Sequence, residues 1–440
     1  LVSSSAASDV YKRQDEGKQV RYLEVNGYGI DTKNQTVFIQ LERGSFKPWL
    51  TLKIDEDRNE QEMITELRGM YREKLTMRNS EKDEENTIYL EKTNINKKLY
   101  FYSVEENMKV YRIYFPSNSQ RRQFFYKKKD DKRKTYSVNE NETNINLQFL
   151  NANNLPSCGW ITMKNANHSE YQRVTRGNCL EYTVRPYDIE MKENQEEHKL
   201  PNFRCLSFDL ECYSEHVTKF PNASLATDCI FQIGVMTQDE NNEQKKYIFT
   251  LMPKRRSFEL KNEIVVRRYE TEPDLLVGFL DFMSDEFNAI VLIGYNIFGF
   301  DVPYLKERCD RYGISMGKKG MSRDIEAEYK EIKWSSSAYS VQEFHLFDYD
   351  GRLMIDLLTL VKRTYKLSNY KLSTVSEYFL GSDNTKDPMT AADIFNAYSK
   401  GILGGDLPLV GRCAKYCVQD SNLVLRCLLY TSPSPRDRYI

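Results

Sequence analysis

The stretch FRCLSFDLE, residues 203–211, reads as a strand that carries two acids one residue apart inside an otherwise apolar run. Alternate residues of a strand share a face, so Asp209 and Glu211 project side by side while Leu210 points the other way. Two adjacent anions on a partly buried face are costly unless something positive lies between them. A divalent metal answers that need. Alone the pair says little, because acid-x-acid is expected on the order of nine times in a chain with this many carboxylates.

Downstream, DCIFQIGVM (228–236) and KKYIFTLM (245–252) read as a second and third strand. PDLLVGFLDFMSDEF (273–287) places Leu275, Leu276, Phe279, Leu280 and Met283 on one helical face. AIVLIGYN (289–296) is a buried strand, and VPYLKERCDRYG (302–313) is a helix stopped by Gly313. Three strands, helix, strand, helix is the order of a ribonuclease H-like domain. Upstream, RYLEVNGYGI (21–30), QTVFIQL (35–41) and SFKPWLTLKI (45–54) are strand-like, as are LYFYSVEEN (99–107) and KVYRIYF (109–115). Between them, residues 59–74 set Met63, Ile64, Leu67 and Tyr71 at helical spacing. The acidic stretch 188–199 reads as a linker. The fold class is thus α/β (α+β): a β-rich domain over residues 15–197, then a ribonuclease H-like domain over 198–427. The ends, LVSSSAASDVYKRQ (1–14) and LLYTSPSPRDRYI (428–440), look like translated adapter sequence and are expected to be adapter-derived or disordered tails.

Two further sites join the first acid pair. In GYNIFGFDVPYL (294–305), Asp301 follows a buried strand and starts the next helix, where α/β sites gather; a helix cap is the alternative role. In KYCVQDSNLVLR (415–426), Tyr416 and Asp420 lie four apart and share a helix face. Four carboxylates suit two hard cations roughly 3.5–4 Å apart, an arrangement that hydrolyses phosphodiesters. The chain has four histidines, none within these motifs, which disfavours a His-based nuclease or a catalytic triad.

SFDLEC, GYNIFGFD and YCVQD resemble the three exonuclease motifs of family B DNA polymerases, of the delta type and those of large DNA viruses. The segment 351–381 resembles the stretch that follows the exonuclease hairpin in that family, and YRIYFPSNSQRRQF and LPSCGWI resemble its amino-terminal domain. The resemblance implies a proofreading 3′-5′ exonuclease with Asp209, Glu211, Asp301 and Asp420 on two Mg²⁺ ions, Mn²⁺ being a possible substitute. It gives Tyr416 the task of orienting water, and Asn296 and Phe300 contact with the primer end. Residues 329–352 would form the hairpin. Lys366, Lys371, Arg121 and Arg122 are candidate DNA contacts, the last two from the basic, aromatic tract 119–134. Expected partners are primer-template and single-stranded DNA, with a sliding clamp or accessory replication subunits. The expected location is intracellular, in a nucleus or at a viral replication site. Neither D-x-x-S-L-Y-P nor D-T-D, motifs of the family's palm domain, occurs in these 440 residues, so this chain is expected not to polymerise.

Composition constrains less. Lys+Arg 63 against Asp+Glu 64 leaves net charge silent about partners. Nine cysteines without a C-x-x-C pair disfavour a disulfide framework or a zinc site. The longest apolar run is shorter than the roughly 20 residues of a membrane helix. Two alternatives stay open: a free-standing exonuclease of the same fold, and a non-catalytic nucleic-acid-binding scaffold.

Overall fold

A computed structural model describes residues 2–11, 21–54, 59–77, 87–95, 108–129, 136–140, 143–192, 202–216, 218–256, 258, 260, 264–323, 329–335, 342–347, 351–381 and 388–431. The expected strand at 99–107 and the basic residues 130–134 lie outside them. The chain divides into two compact units, Leu1–Gln172 with Cys179–Lys199, and Arg173–Asn178 with Leu200–Ile440.

The first unit is β-rich. One five-stranded sheet orders Val2–Tyr11, Arg21–Ile30, Thr36–Leu41, Leu180–Val184 and Asn167–His168; another orders Leu75–Met77, Ile88–Ile95, Met108–Tyr114, Trp49–Ile54 and Tyr136–Asn139. The helix Glu60–Tyr71 starts where Asn59 Oδ1 accepts from Glu62 N–H at 2.9 Å, and it buries Met63, Ile64 and Leu67. Val2–Tyr11 pairs antiparallel with Arg21–Ile30 through the backbone, for which no apolar period is needed. One expectation changes here. The expected linker at 188–199 begins inside the fold. Ile189–Met191 pairs with Ile161–Met163, and the buried Asp188 carboxylate accepts from Arg185 Nε at 3.0 Å and Asn165 Nδ2 at 3.1 Å.

In the second unit the elements are β1 (Cys205–Cys212), β2 (Ile230–Gln238), β3 (Gln244–Leu251), β4 (Ile264–Tyr269), α1 (Glu272–Asp281), β5 (Val291–Gly294), α2 (Asp301–Arg311), β6 (Leu353–Asp356), α3 (Leu357–Thr364), α4 (Leu372–Leu380) and α5 (Leu407–Thr431). The sheet runs β4-β3-β2-β1-β5-β6. Strands β1, β2 and β3 are antiparallel neighbours, whereas β5 lies parallel to β1 and β6 parallel to β5. That central order is ribonuclease H-like. Strand β4 adds an edge that sequence alternation does not reveal; its Arg267 and Arg268 suit a sheet margin. Leu206, Phe208 and Leu210 enter one core, where the Phe208 and Phe279 rings are 5.5 Å apart. The opposite face of β1 is left for α5. Tyr329–Trp334 and Gln342–Phe347 pair as an antiparallel hairpin within the stretch expected to form one. Among the described residues no helix is long and apolar enough to cross a membrane.

Candidate active site

Asp209 and Glu211 leave β1 on the α5 side. Asp209 pairs across the sheet with Gly234, and Glu211 with Gln232. The register slips just beyond, between Glu211 and Cys212. Such a bulge bends a strand and re-aims its side chains, which is why bulges gather beside sites. Glu211 is buried, and Asp209 is half-buried.

Asp301 reaches this place from α2. It is the first helical residue, and the preceding Phe300 holds the cap position without a side-chain capping bond. Its Oδ1 accepts from Leu210 N–H at 3.2 Å, the amide between the two β1 acids, so its carboxylate reaches across to β1 from the helix start. The loop before it is braced by Asp356, which accepts from Asn296 N–H at 2.9 Å, Phe298 N–H at 3.3 Å and Leu358 N–H at 3.0 Å. Asn296 takes a left-handed backbone, φ 63°, which suits Asn better than most residues. It is exposed; Phe300 is half-buried, its ring 5.1 Å from that of the exposed Phe220.

Tyr416 and Asp420 arrive on α5. Burial first, then the Asp420, Glu211 and Asp209 charges and a hydrogen bond with Asp420, hold the Tyr416 phenol far above its ordinary range. It therefore remains a neutral hydroxyl. Asp420 is buried. Asp209, Glu211 and Cys417 each present a ligand atom within 4.8 Å of the others. Cys417 was not anticipated from sequence, although it lies between Tyr416 and Asp420. Burial and the neighbouring carboxylates push its thiol well above the usual value, so it stays protonated, and a neutral thiol is a poor ligand for a hard cation. The carboxylate oxygens fit such a cation.

Burial pushes the Asp301 carboxyl up from 3.8 to about 7, against the pull of the Leu210 N–H, and burial also raises Asp356. Both folded values lie above the unfolded ones. Their neutral forms therefore favour the fold most below about pH 4, and that contribution is lost as pH rises through about 7. Thermal melts in chelator are expected to fall between about pH 5 and pH 8, and Mg²⁺ should restore stability increasingly over the same range. A midpoint in chelator that does not change with pH would contradict this.

Lys366, Lys371 and Arg122 are exposed. Arg121 departs from expectation. It is 4% exposed, its Nε donates to Asn118 Oδ1 at 3.2 Å and its guanidinium to Thr143 O at 3.4 Å, so it ties down the start of its own helix.

A mixed sheet with acids from β1, α2 and α5 gathered on one face is the build of an exonuclease domain. The family described as "DNA polymerase family B, exonuclease domain" matches residues 136–375, and the chain belongs to that family. DNA polymerase 120R of Invertebrate iridescent virus 3 is 36% identical over 295 residues, 64% of this chain and 25% of the relative. The DNA polymerase delta catalytic subunit of Oryza sativa subsp. japonica is 29% identical over 67% of this chain and 26% of its own length. A family B DNA polymerase from the archaeon Pyrobaculum calidifontis shares the fold with a TM-score of 0.61 at 18% identity, over 97% of this chain and 45% of that one. The chain thus spans about a quarter of the length of these curated relatives. Tyr416 and Asp420 lie beyond the matched stretch; packing of α5 on β1 and β2 brings them to the cluster.

Proposed function

We propose that residues 198–427 form a 3′-5′ exonuclease that removes terminal nucleotides from DNA, and that 15–197 form the amino-terminal domain of the same polymerase. What supports this reading is that Asp209 and Glu211 present ligand atoms within 4.8 Å of each other, that Asp301 accepts from the Leu210 amide between them, and that Asp420, Glu211 and Asp209 all act on the Tyr416 hydroxyl. The four carboxylates would hold two Mg²⁺ ions, with Mn²⁺ able to replace them, and bound metal would supply charge neutralisation at the scissile phosphate and a lowered pKa for the attacking water.

The chain's own residues do the rest. Tyr416, neutral at physiological pH, orients the water through its hydroxyl while Asp420 fixes the phenol's direction. Phe300 stacks on the terminal base, and Asn296, held at its left-handed turn by Asp356, bonds the last nucleotide. Lys366, Lys371 and Arg122 contact the backbone, and their lack of burial suits a salt-sensitive phosphate contact. A mismatched end frays more readily, so a site accepting only single strand gains selectivity from the few kcal/mol of unpairing it avoids. In the whole protein the domain proofreads for a polymerase at the cell's or virus's site of replication, alongside a clamp or accessory subunits. The relatives' being DNA polymerases supports that wider role.

Single-stranded DNA labelled at its 5′ end is the test. With Mg²⁺ the 440-residue chain should shorten it from the 3′ end and release 5′-mononucleotides, and chelator should stop the reaction. Shortening from the other end, or none, would overturn the proposal.

A further inference from the structure

Helix α5 touches the sheet at one unusually close point. Gly234 stands opposite Asp209, and a Cβ built on it would lie 2.6 Å from the Cys417 carbonyl carbon and oxygen and 2.8 Å from Sγ. Only a residue without a side chain admits the helix this near. Gly234 N–H donates to Cys417 Sγ at 3.0 Å, and the thiol donates to the Asp209 carbonyl at 3.4 Å. One turn further, the Ser421 hydroxyl donates to Gly234 O at 2.9 Å. A buried cysteine that merely fills space needs none of these bonds.

We propose that Cys417 is a positioning residue: its thiol, clasped between Gly234 and Asp209, sets where α5 lies on β1 and β2 and so holds Tyr416 and Asp420 against Asp209 and Glu211. The clasp acts at the acid itself, because the Asp209 carbonyl it engages belongs to the residue whose carboxylate lies 4.0 Å from the same sulfur. It also acts on Asp420, three residues along and on the same side of the helix. This inference rests on the reading of the cluster as a cation site.

Mn²⁺ binding tests it without using activity. Free Mn²⁺ is counted by electron paramagnetic resonance against the 440-residue chain as wild type, Cys417→Ala and Cys417→Ser. Alanine removes both bonds at nearly the same volume, and serine keeps a donor and an acceptor. The expected result is about a tenfold weaker Mn²⁺ dissociation constant for Cys417→Ala with Cys417→Ser within about threefold of wild type. Wild-type binding by Cys417→Ala, or equal loss in both variants, would overturn the proposal. If Cys417→Ala does not fold, Ser421→Ala should weaken binding about threefold, and unchanged binding there counts against the clasp. A wild-type chain that binds Mn²⁺ and shows these shifts yet hydrolyses no DNA would remove the proposed reaction while leaving the clasp intact.

Discussion

Replacing Asp209 by alanine is expected to lower Mg²⁺-dependent hydrolysis of single-stranded DNA by about a thousandfold. Cation-assisted stabilisation is worth several kcal/mol, and each ~1.4 kcal/mol is a factor of ten in rate. The loss should not come from unfolding. Asp209 is half-buried beside Glu211, so without metal its removal relieves repulsion between two adjacent carboxylates. The Asp209→Ala chain is therefore expected to melt in chelator at or above the wild-type temperature, and to lose the Mg²⁺-induced rise. Quench-flow hydrolysis of end-labelled DNA and paired melts measure the two halves. A variant that retains wild-type hydrolysis would remove Asp209 from the reaction.

The second large effect concerns stability. Glu272 and Arg308 form a bidentate pair, Nε to Oε1 at 2.9 Å and Nη2 to Oε2 at 2.5 Å, with their side chains 5% and 0% exposed. Each also serves the backbone or a neighbour. Glu272 accepts from Ile230 N–H at 2.8 Å and from the Tyr312 hydroxyl at 2.8 Å, while Arg308 Nη1 donates to Ala223 O at 3.0 Å and Leu225 O at 2.5 Å. The pair thus ties α1, α2, the start of β2 and the loop before it. Glu272→Ala leaves a buried guanidinium without its counter-charge, which costs about 3–5 kcal/mol. In a unit of this size that lowers the melting temperature by roughly 10 °C. Glu272→Leu with Arg308→Met should lose less than the two single changes added together, since no charge is then stranded. Scanning calorimetry of the three variants decides it, and additive losses would mean that the ion pair is not what holds these elements.

What the sequence reveals is what has a short period. Strand alternation exposes Asp209 and Glu211, a four-residue helical step joins Tyr416 to Asp420, and a buried run ending in an acid marks Asp301. Contacts with no local signature stay hidden. Gly234 looks like any glycine in CIFQIGVM, and its demand for a bare Cα comes from a residue 183 positions away. Glu272 looks like an ordinary acid until its buried partner is seen. Arg121 was misread although a signal existed. Arg121, Phe124 and Lys128 are spaced i, i+3, i+7 and share the buried face of their helix, so among the described residues of that tract Arg122 and Lys127 are the exposed cations.

The span between the two ends of the clasp bears on synthesis. Asp209 and Cys417 are 208 residues apart, and a ribosome adding about 5–20 residues per second needs roughly 10–40 s to cover that distance. All six strands of the sheet have been made by Asp356, but the helix bearing Tyr416 and Asp420 has not. A nascent chain can thus assemble its sheet with Asp209, Glu211 and Asp301 in place while Tyr416 and Asp420 are still to come. Completion of the cluster falls to α5, so chains halted before it would carry the sheet and lack Tyr416 and Asp420.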